Sequence, residues 1–188
     1  MSAKVLILPG WQGSGPEHWQ MRWVAQQGYT VVEQADWLHP RRGDWLARLD
    51  EVVVDTPGGG ADLVLVAHSL GCIQVAAWAA VSRHTARVRG ALLVAPGDVE
   101  QPNLREQLPG WSPIVRQRLP FAARLVGSRN DPYCSAERAR GLAQDWGAHW
   151  HDLGEAGHIN ADSGLGDWPA GQALLQDWIS EAAAQPTP

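Results

Sequence analysis

The chain is poor in cysteine, in aromatic residues other than tryptophan, and in net charge. Only Cys72 and Cys134 occur among 188 residues, too few for the disulfide framework of a small secreted protein or for a cysteine-based zinc site. Fifteen basic against twenty acidic residues leave a net charge of −5, with no long basic run. Nucleic acid and anionic membrane surfaces are therefore not expected as main partners. Apolar stretches are broken by Gly, His, Gln or Arg well short of the ~20 residues that a membrane span needs. Met1-Ser2-Ala3-Lys4-Val5 runs straight into a strand-like segment, so no signal peptide is expected and the expected setting is the cytoplasm. No internal repeat or low-complexity block appears. What is present is 45% hydrophobic and 19% charged, enough to fill a core without staples. One domain over 1–188 is expected, with 182–188 as a frayed tail.

The pattern alternates between short apolar runs and helical periodicity. Strands are expected at Val5–Leu8, Thr30–Val32, Asp62–Ala67, Ala91–Ala95, Ala122–Val126 and His149–Leu153. Most are continuously apolar, as in a parallel sheet covered on both faces; the mixed last run reads as an edge. Helices are expected from Pro16 to Gln27, from an Asp44 cap through Val53, from Leu70 to Val81, over Ala136–Trp146 between a Ser135 cap and a Gly147 stop, and from Trp168 to Ala184. The segment 96–121 holds Pro102, Pro109, Pro113 and Pro120 and reads as a loop with one short helix. The whole is an α/β fold, a six-stranded mainly parallel sheet with helices on both faces.

The sharpest local signal is Val64-Leu65-Val66-Ala67-His68-Ser69-Leu70-Gly71-Cys72. A strand runs into a Ser and then directly into an apolar helix, the setting of a G-x-S-x-G nucleophile elbow with Ala67 in place of the first Gly. Small residues two before and two after the Ser let the backbone turn that tightly. A hydrolytic Ser needs a base, and the base an orienting acid, in the chain order Ser, acid, His. Asp131 follows the fifth strand, in Gly127-Ser128-Arg129-Asn130-Asp131-Pro132; His158 follows the sixth, in a glycine-flanked loop. All three are expected at the carboxyl ends of strands, on one edge of the sheet. Asp98 is the alternative acid, and an Asx-Pro turn is the alternative role of Asp131.

A tetrahedral intermediate needs donors for its oxyanion. The backbone N–H of Leu70, at the start of the nucleophile helix, is one; Trp11 N–H, in the loop Leu8-Pro9-Gly10-Trp11-Gln12-Gly13-Ser14-Gly15, is the other, with Gln12 the alternative. Trp11, Gln12 and His68 are candidates for the substrate wall, and His68 also has a structural reading beside the nucleophile. The glycine-rich loop lacks both phosphate-binding signatures. No histidine pair has zinc-ligand spacing. No cofactor and no metal is expected, and Cys72 reads as an inert core thiol. The segment 96–121 is too short for a helical cap, so an open cleft suited to small acyl groups is expected.

These motifs resemble the small α/β-hydrolase family of retinoblastoma-binding-protein-9-like serine hydrolases. The resemblance covers nearly the whole chain. Beyond the elbow and triad candidates it rests on Leu8-Pro9-Gly10-Trp11, Ser14, His18-Trp19, Asp36-Trp37, Pro40 and Asp44-Trp45. It continues with Leu93-Val94-Ala95-Pro96, Ser128-Arg129-Asn130-Asp131-Pro132-Tyr133, Trp146-Gly147-Ala148, Gly157-His158-Ile159-Asn160 and Ser163-Gly164-Leu165-Gly166-Asp167-Trp168. It implies a compact α/β-hydrolase fold with strand order 2-1-3-4-5-6 and no cap domain. It also implies a Ser69–Asp131–His158 triad acting on a small-molecule ester or amide. The other reading is a hydrolase-like module kept to bind another protein. Eleven tryptophans against two Tyr and one Phe read mostly as large packing residues, with Trp11 equally a pocket wall.

Overall fold

Six short stretches of the chain align side by side, all in the same direction. The computed structural model describes residues 3–184. Its strands are β1 (Lys4–Leu8), β2 (Thr30–Val31), β3 (Leu63–His68), β4 (Val88–Val94), β5 (Ala122–Gly127) and β6 (His149–Asp152), in the order β2-β1-β3-β4-β5-β6. Every pairing is parallel. The expected architecture and strand order hold. Parallel neighbours need crossovers, and these carry α1 (Trp19–Gln27), α2 (Arg42–Asp55), α3 (Leu70–Ala79), a short α4 (Pro102–Gln107) and α5 (Ala136–Trp146); α6 (Pro169–Ala184) follows β6 and packs on the sheet.

Side chains alternate along each strand, so each strand serves two cores. Leu6 and Leu8 of β1 join Leu65, Leu93 and Leu125 under α2, α3 and α5. Val5 and Ile7 join Val64, Val66, Leu92 and Val126 under α1 and α6. Tryptophan fills both layers. Trp19, Trp23 and Trp168 pack ring against ring with centroids 4.7 to 5.8 Å apart on one side. Trp37, Trp45 and Trp111 make edge-to-face contacts at 5.5 and 5.4 Å on the other.

Several boundaries differ from the sequence reading, each for a local reason. α1 starts at Trp19 rather than Pro16, because the His18 ring caps it: Nδ1 accepts the Gln20 N–H at 3.2 Å. Asp44 does not cap α2; Arg41 stands at the cap without a side-chain bond, and Asp44 lies in the first turn, where its charge suits the helix dipole. α3 stops at Ala79, and Val81, 70% exposed, is outside it. β4 starts three residues early, at Val88, and runs through Gly90. That glycine interrupts the apolar run because the Trp178 ring lies on it; a Cβ there would fall 1.8 Å from the ring. Ala95, with φ 47°, is already outside the strand. Of the tail 182–188, residues 185–188 lie outside the described part.

Candidate active site

β3 ends at His68 and α3 begins at Leu70, so the whole change of direction falls on Ser69. Its φ of 53° and ψ of −118° lie outside the conformations open to an ordinary L residue. Such strain persists only where the surroundings enforce it, and here two close approaches do. A Cβ on Gly71 would fall 2.5 Å from the Leu8 carbonyl oxygen, and one on Gly10 would fall 2.8 Å from Ser69 Cβ. The β1 loop is therefore pressed against the elbow. Ala67, at the first small position, is wholly buried in the strand.

His158 Nε2 is 2.9 Å from Ser69 Oγ, and His158 Nδ1 is 3.0 and 2.9 Å from the two oxygens of Asp131. A carboxylate only accepts, so Nδ1 carries the proton and Nε2 offers a lone pair to the Ser69 hydroxyl. The Asp131 side chain is 2% exposed and that of His158 9%. Asp131 Oδ1 also accepts the Tyr133 N–H at 2.9 Å, so the Asx turn and the contact to His158 coexist on one carboxylate. Asp98 is turned away: its oxygens lie 3.2 Å from Arg138 Nη2 and 3.2 Å from Arg138 Nε.

The loop carrying His158 is held by side chains from three other segments. Asn130 Oδ1 accepts from Ser128 Oγ and from Gly157 N, and Ser128 Oγ accepts from Ala156 N. Trp19 Nε1 donates to the Ile159 carbonyl at 2.8 Å. His68 Nε2 donates to the carbonyl of His158 itself at 2.8 Å. Tyr133 and His68 flank the His158 ring, with centroids 4.6 and 4.9 Å away. The sequence reading placed Ser128, Asn130 and Tyr133 in a motif of the resemblance but gave them no role. Their signal was the Ser128-x-Asn130-Asp131 spacing, which places two further polar side chains at the same strand end.

The two oxyanion candidates are separated by the loop's own bonds. Gln12 N–H donates to the Trp37 carbonyl at 3.0 Å, and Gly13 N–H to Gly10. Trp11 N–H and Leu70 N–H have no partner among the described residues. The Trp11 ring is tied back, its Nε1 donating to the Leu38 carbonyl. A cleft of about 340 Å³ opens above Ser69; Trp11, Gln12, His68, Leu70 and His158 all line it.

Burial favours the neutral forms of two imidazoles and two thiols near the site. It pushes the His68 imidazole well below its usual range, and the neighbouring His158 and His18 add to this. Burial first and His158 second bring His18 down to about 4. Burial raises the Cys72 thiol far above its ordinary value and the Cys134 thiol to about 12, so neither is a thiolate near neutral pH. No cluster of three or more His, Cys, Asp or Glu suited to a metal occurs among the described residues, and none of the described helices is long and apolar enough to cross a membrane.

The His18 shift has a measurable consequence. Unfolded, His18 titrates near its ordinary 6.5; folded, it stays neutral down to about 4. Between these values the unfolded chain holds the extra proton, so stability falls as pH drops from 6.5 and levels off below 4. The loss from this group is roughly 3 kcal/mol. His18→Asn keeps a capping oxygen and should flatten this part of the stability curve in urea unfolding from pH 7 to 4. Equal slopes in the two proteins would refute the assignment.

No curated protein sequence matches this chain. Among solved structures, a YdeN-like hydrolase from Pectobacterium atrosepticum shares 24% identity, with 96% of this chain and 92% of that one covered at a TM-score of 0.82. The ydeN gene product of B. subtilis shares 21%, covering 95% and 100% at 0.75. Est1E from Butyrivibrio proteoclasticus shares 11%, covering 98% and 89% at 0.72. These likenesses establish the α/β-hydrolase fold. Residues 5–177 match the family model for serine hydrolases, and with a strained serine at its elbow the chain belongs to the serine hydrolase family.

Proposed function

We propose that this hydrolase cleaves small carboxylic esters or amides through an acyl-enzyme on Ser69, with His158 as the base and Asp131 as its orienting acid. The observation that carries the reading is the unbroken chain Asp131–His158–Ser69 with every contact at 2.9 to 3.0 Å. Ser69 Oγ attacks the carbonyl carbon while His158 Nε2 takes its proton. The carbonyl oxygen becomes an oxyanion facing Leu70 N–H and Trp11 N–H. The intermediate collapses, the bond to the leaving group breaks, and His158 returns the proton to it. Water then repeats the sequence on the acyl-enzyme, releasing the acid and restoring Ser69. Asp131 holds the imidazole tautomer and stabilises the imidazolium. His68 and Asn130 hold the base's loop in register.

Esters are the first substrates to assay, since structural neighbours from Rhodococcus sp. ECU1013 and Bacillus cereus bear esterase names. The narrower kinship with retinoblastoma-binding-protein-9-like members is part of the same proposal and names no substrate.

The test is labelling with a fluorophosphonate probe, read by intact mass. Wild type should gain one adduct and Ser69→Ala none. A folded wild type that gains no adduct would overturn the proposal in favour of a protein-binding module.

A further inference from the structure

The cleft above Ser69 has two unlike walls. One comes from the chain leaving β4 and is apolar: Gly97, Val99, Leu104 and Leu108, the last three buried to 1, 5 and 3% exposure. The rest of the lining includes the polar side chains of Gln12, Ser14, His18 and Asn160. None of the side chains lining the cleft is Asp, Glu, Lys or Arg. Its volume of about 340 Å³ is at the small end for ligand sites.

Gly97 is the part of the apolar wall that reaches the nucleophile. A Cβ there would stand 3.4 Å from Ser69 Oγ and 3.9 Å from Leu70 N. Neither distance is a clash in the free protein, and the Gly97 φ is not in the left-handed region. A methyl at this position is therefore compatible with the fold. It is not neutral toward a substrate, because the acyl carbon must bond to Oγ while its oxygen faces Leu70 N–H. The added methyl would stand at the edge of that same space.

Chemistry assigns the two walls. The leaving atom has to depart beside His158 Nε2, which protonates it. Asn160 and Ala161, just past His158 in the chain, are among the residues that line the cleft. The acyl substituent is left with the wall that begins at Gly97. A charged group placed there would lose its water and meet no counter-charge.

Building on the hydrolase reading, we propose that the site takes short, uncharged acyl groups, that these lie against Gly97, Val99, Leu104 and Leu108, and that Gly97 sets their size limit. Three p-nitrophenyl esters test this on wild type and Gly97→Ala: acetate, butyrate and hemisuccinate, the last carrying a carboxylate on a chain of butyrate length. Wild type should prefer butyrate to hemisuccinate in kcat/KM by at least about thirtyfold. Gly97→Ala should lower kcat/KM for butyrate by about tenfold or more and for acetate less than about threefold, since one methylene of crowding in a shaped pocket is worth about that. Fluorophosphonate labelling is measured alongside. Without a Ser69 adduct the hydrolase reading fails, and this assignment with it. With an adduct, equal rates on butyrate and hemisuccinate, equal losses on acetate and butyrate, or turnover of none of the esters would overturn the acyl assignment alone.

Discussion

Ser69→Ala is expected to lower kcat on a small ester by about six orders of magnitude, and Asp131→Asn by about four, with both proteins folded as wild type. The first removes the atom that bonds to the acyl carbon. The second is the more informative, because it deletes no bond that holds the loop. An asparagine oxygen can still accept the Tyr133 N–H that Asp131 Oδ1 accepts at 2.9 Å, so the turn at Pro132 is kept. Its amide NH2, however, now faces His158 Nδ1. Two donors cannot share that contact, so the imidazole adopts the other tautomer and presents N–H to Ser69. A base with its lone pair on the wrong nitrogen cannot take the serine proton. The measurement is kcat at neutral pH, with circular dichroism and thermal unfolding to establish the fold. A loss below tenfold in Asp131→Asn would mean that the carboxylate serves the Asx turn alone.

Gly71→Ala is the second large effect, and it is structural before it is catalytic. The new methyl would start 2.5 Å from the Leu8 carbonyl oxygen and 3.0 Å from that of Pro9. Both are backbone atoms at the end of β1, so no side-chain rotation relieves the overlap. α3 must move away from the sheet. Overpacking of this kind costs about 1–3 kcal/mol. Because α3 starts at Leu70, the same shift carries its N–H away from the oxyanion, and a misplacement near 1 Å costs about a hundredfold in rate. Urea midpoints and kcat/KM should fall together. Wild-type stability in Gly71→Ala would show that the close approach of β1 and α3 is not needed for the elbow.

These two experiments separate parts of the site that were unequally visible in the sequence. The elbow was legible because steric demands leave a local pattern: Ala67 and Gly71 flank Ser69 at fixed spacing, between an apolar strand and an apolar helix. Asp131 and His158 were legible because each follows a strand, and parallel strands bring all their carboxyl ends to one edge. The Ser135 cap and Gly147 stop of α5 were local as well. Where the reading failed, a contact that its patterns do not record had intervened, a distant one at Gly90 and a local one at Pro16. Gly90 looked like a break in β4 until Trp178, on another helix, filled the space above it. Pro16 looked like a helix start, although the His18 ring two residues on supplies the cap.

The sequence by itself therefore determined the alternating architecture and the identity of the three residues that meet at the sheet edge, because periodicity, turn chemistry and small-residue spacing act within a few residues; the order of the strands came from the family resemblance. Only the tertiary structure decided between Trp11 and Gln12 as the free donor, since the deciding bond runs from Gln12 to Trp37. It also decided that Asp98 belongs to Arg138 and that His68 holds the His158 loop. The apolar wall beside Gly97 was likewise invisible beforehand. Such contacts join residues far apart in the chain, and no local pattern records which distant backbone carbonyl a given N–H will find.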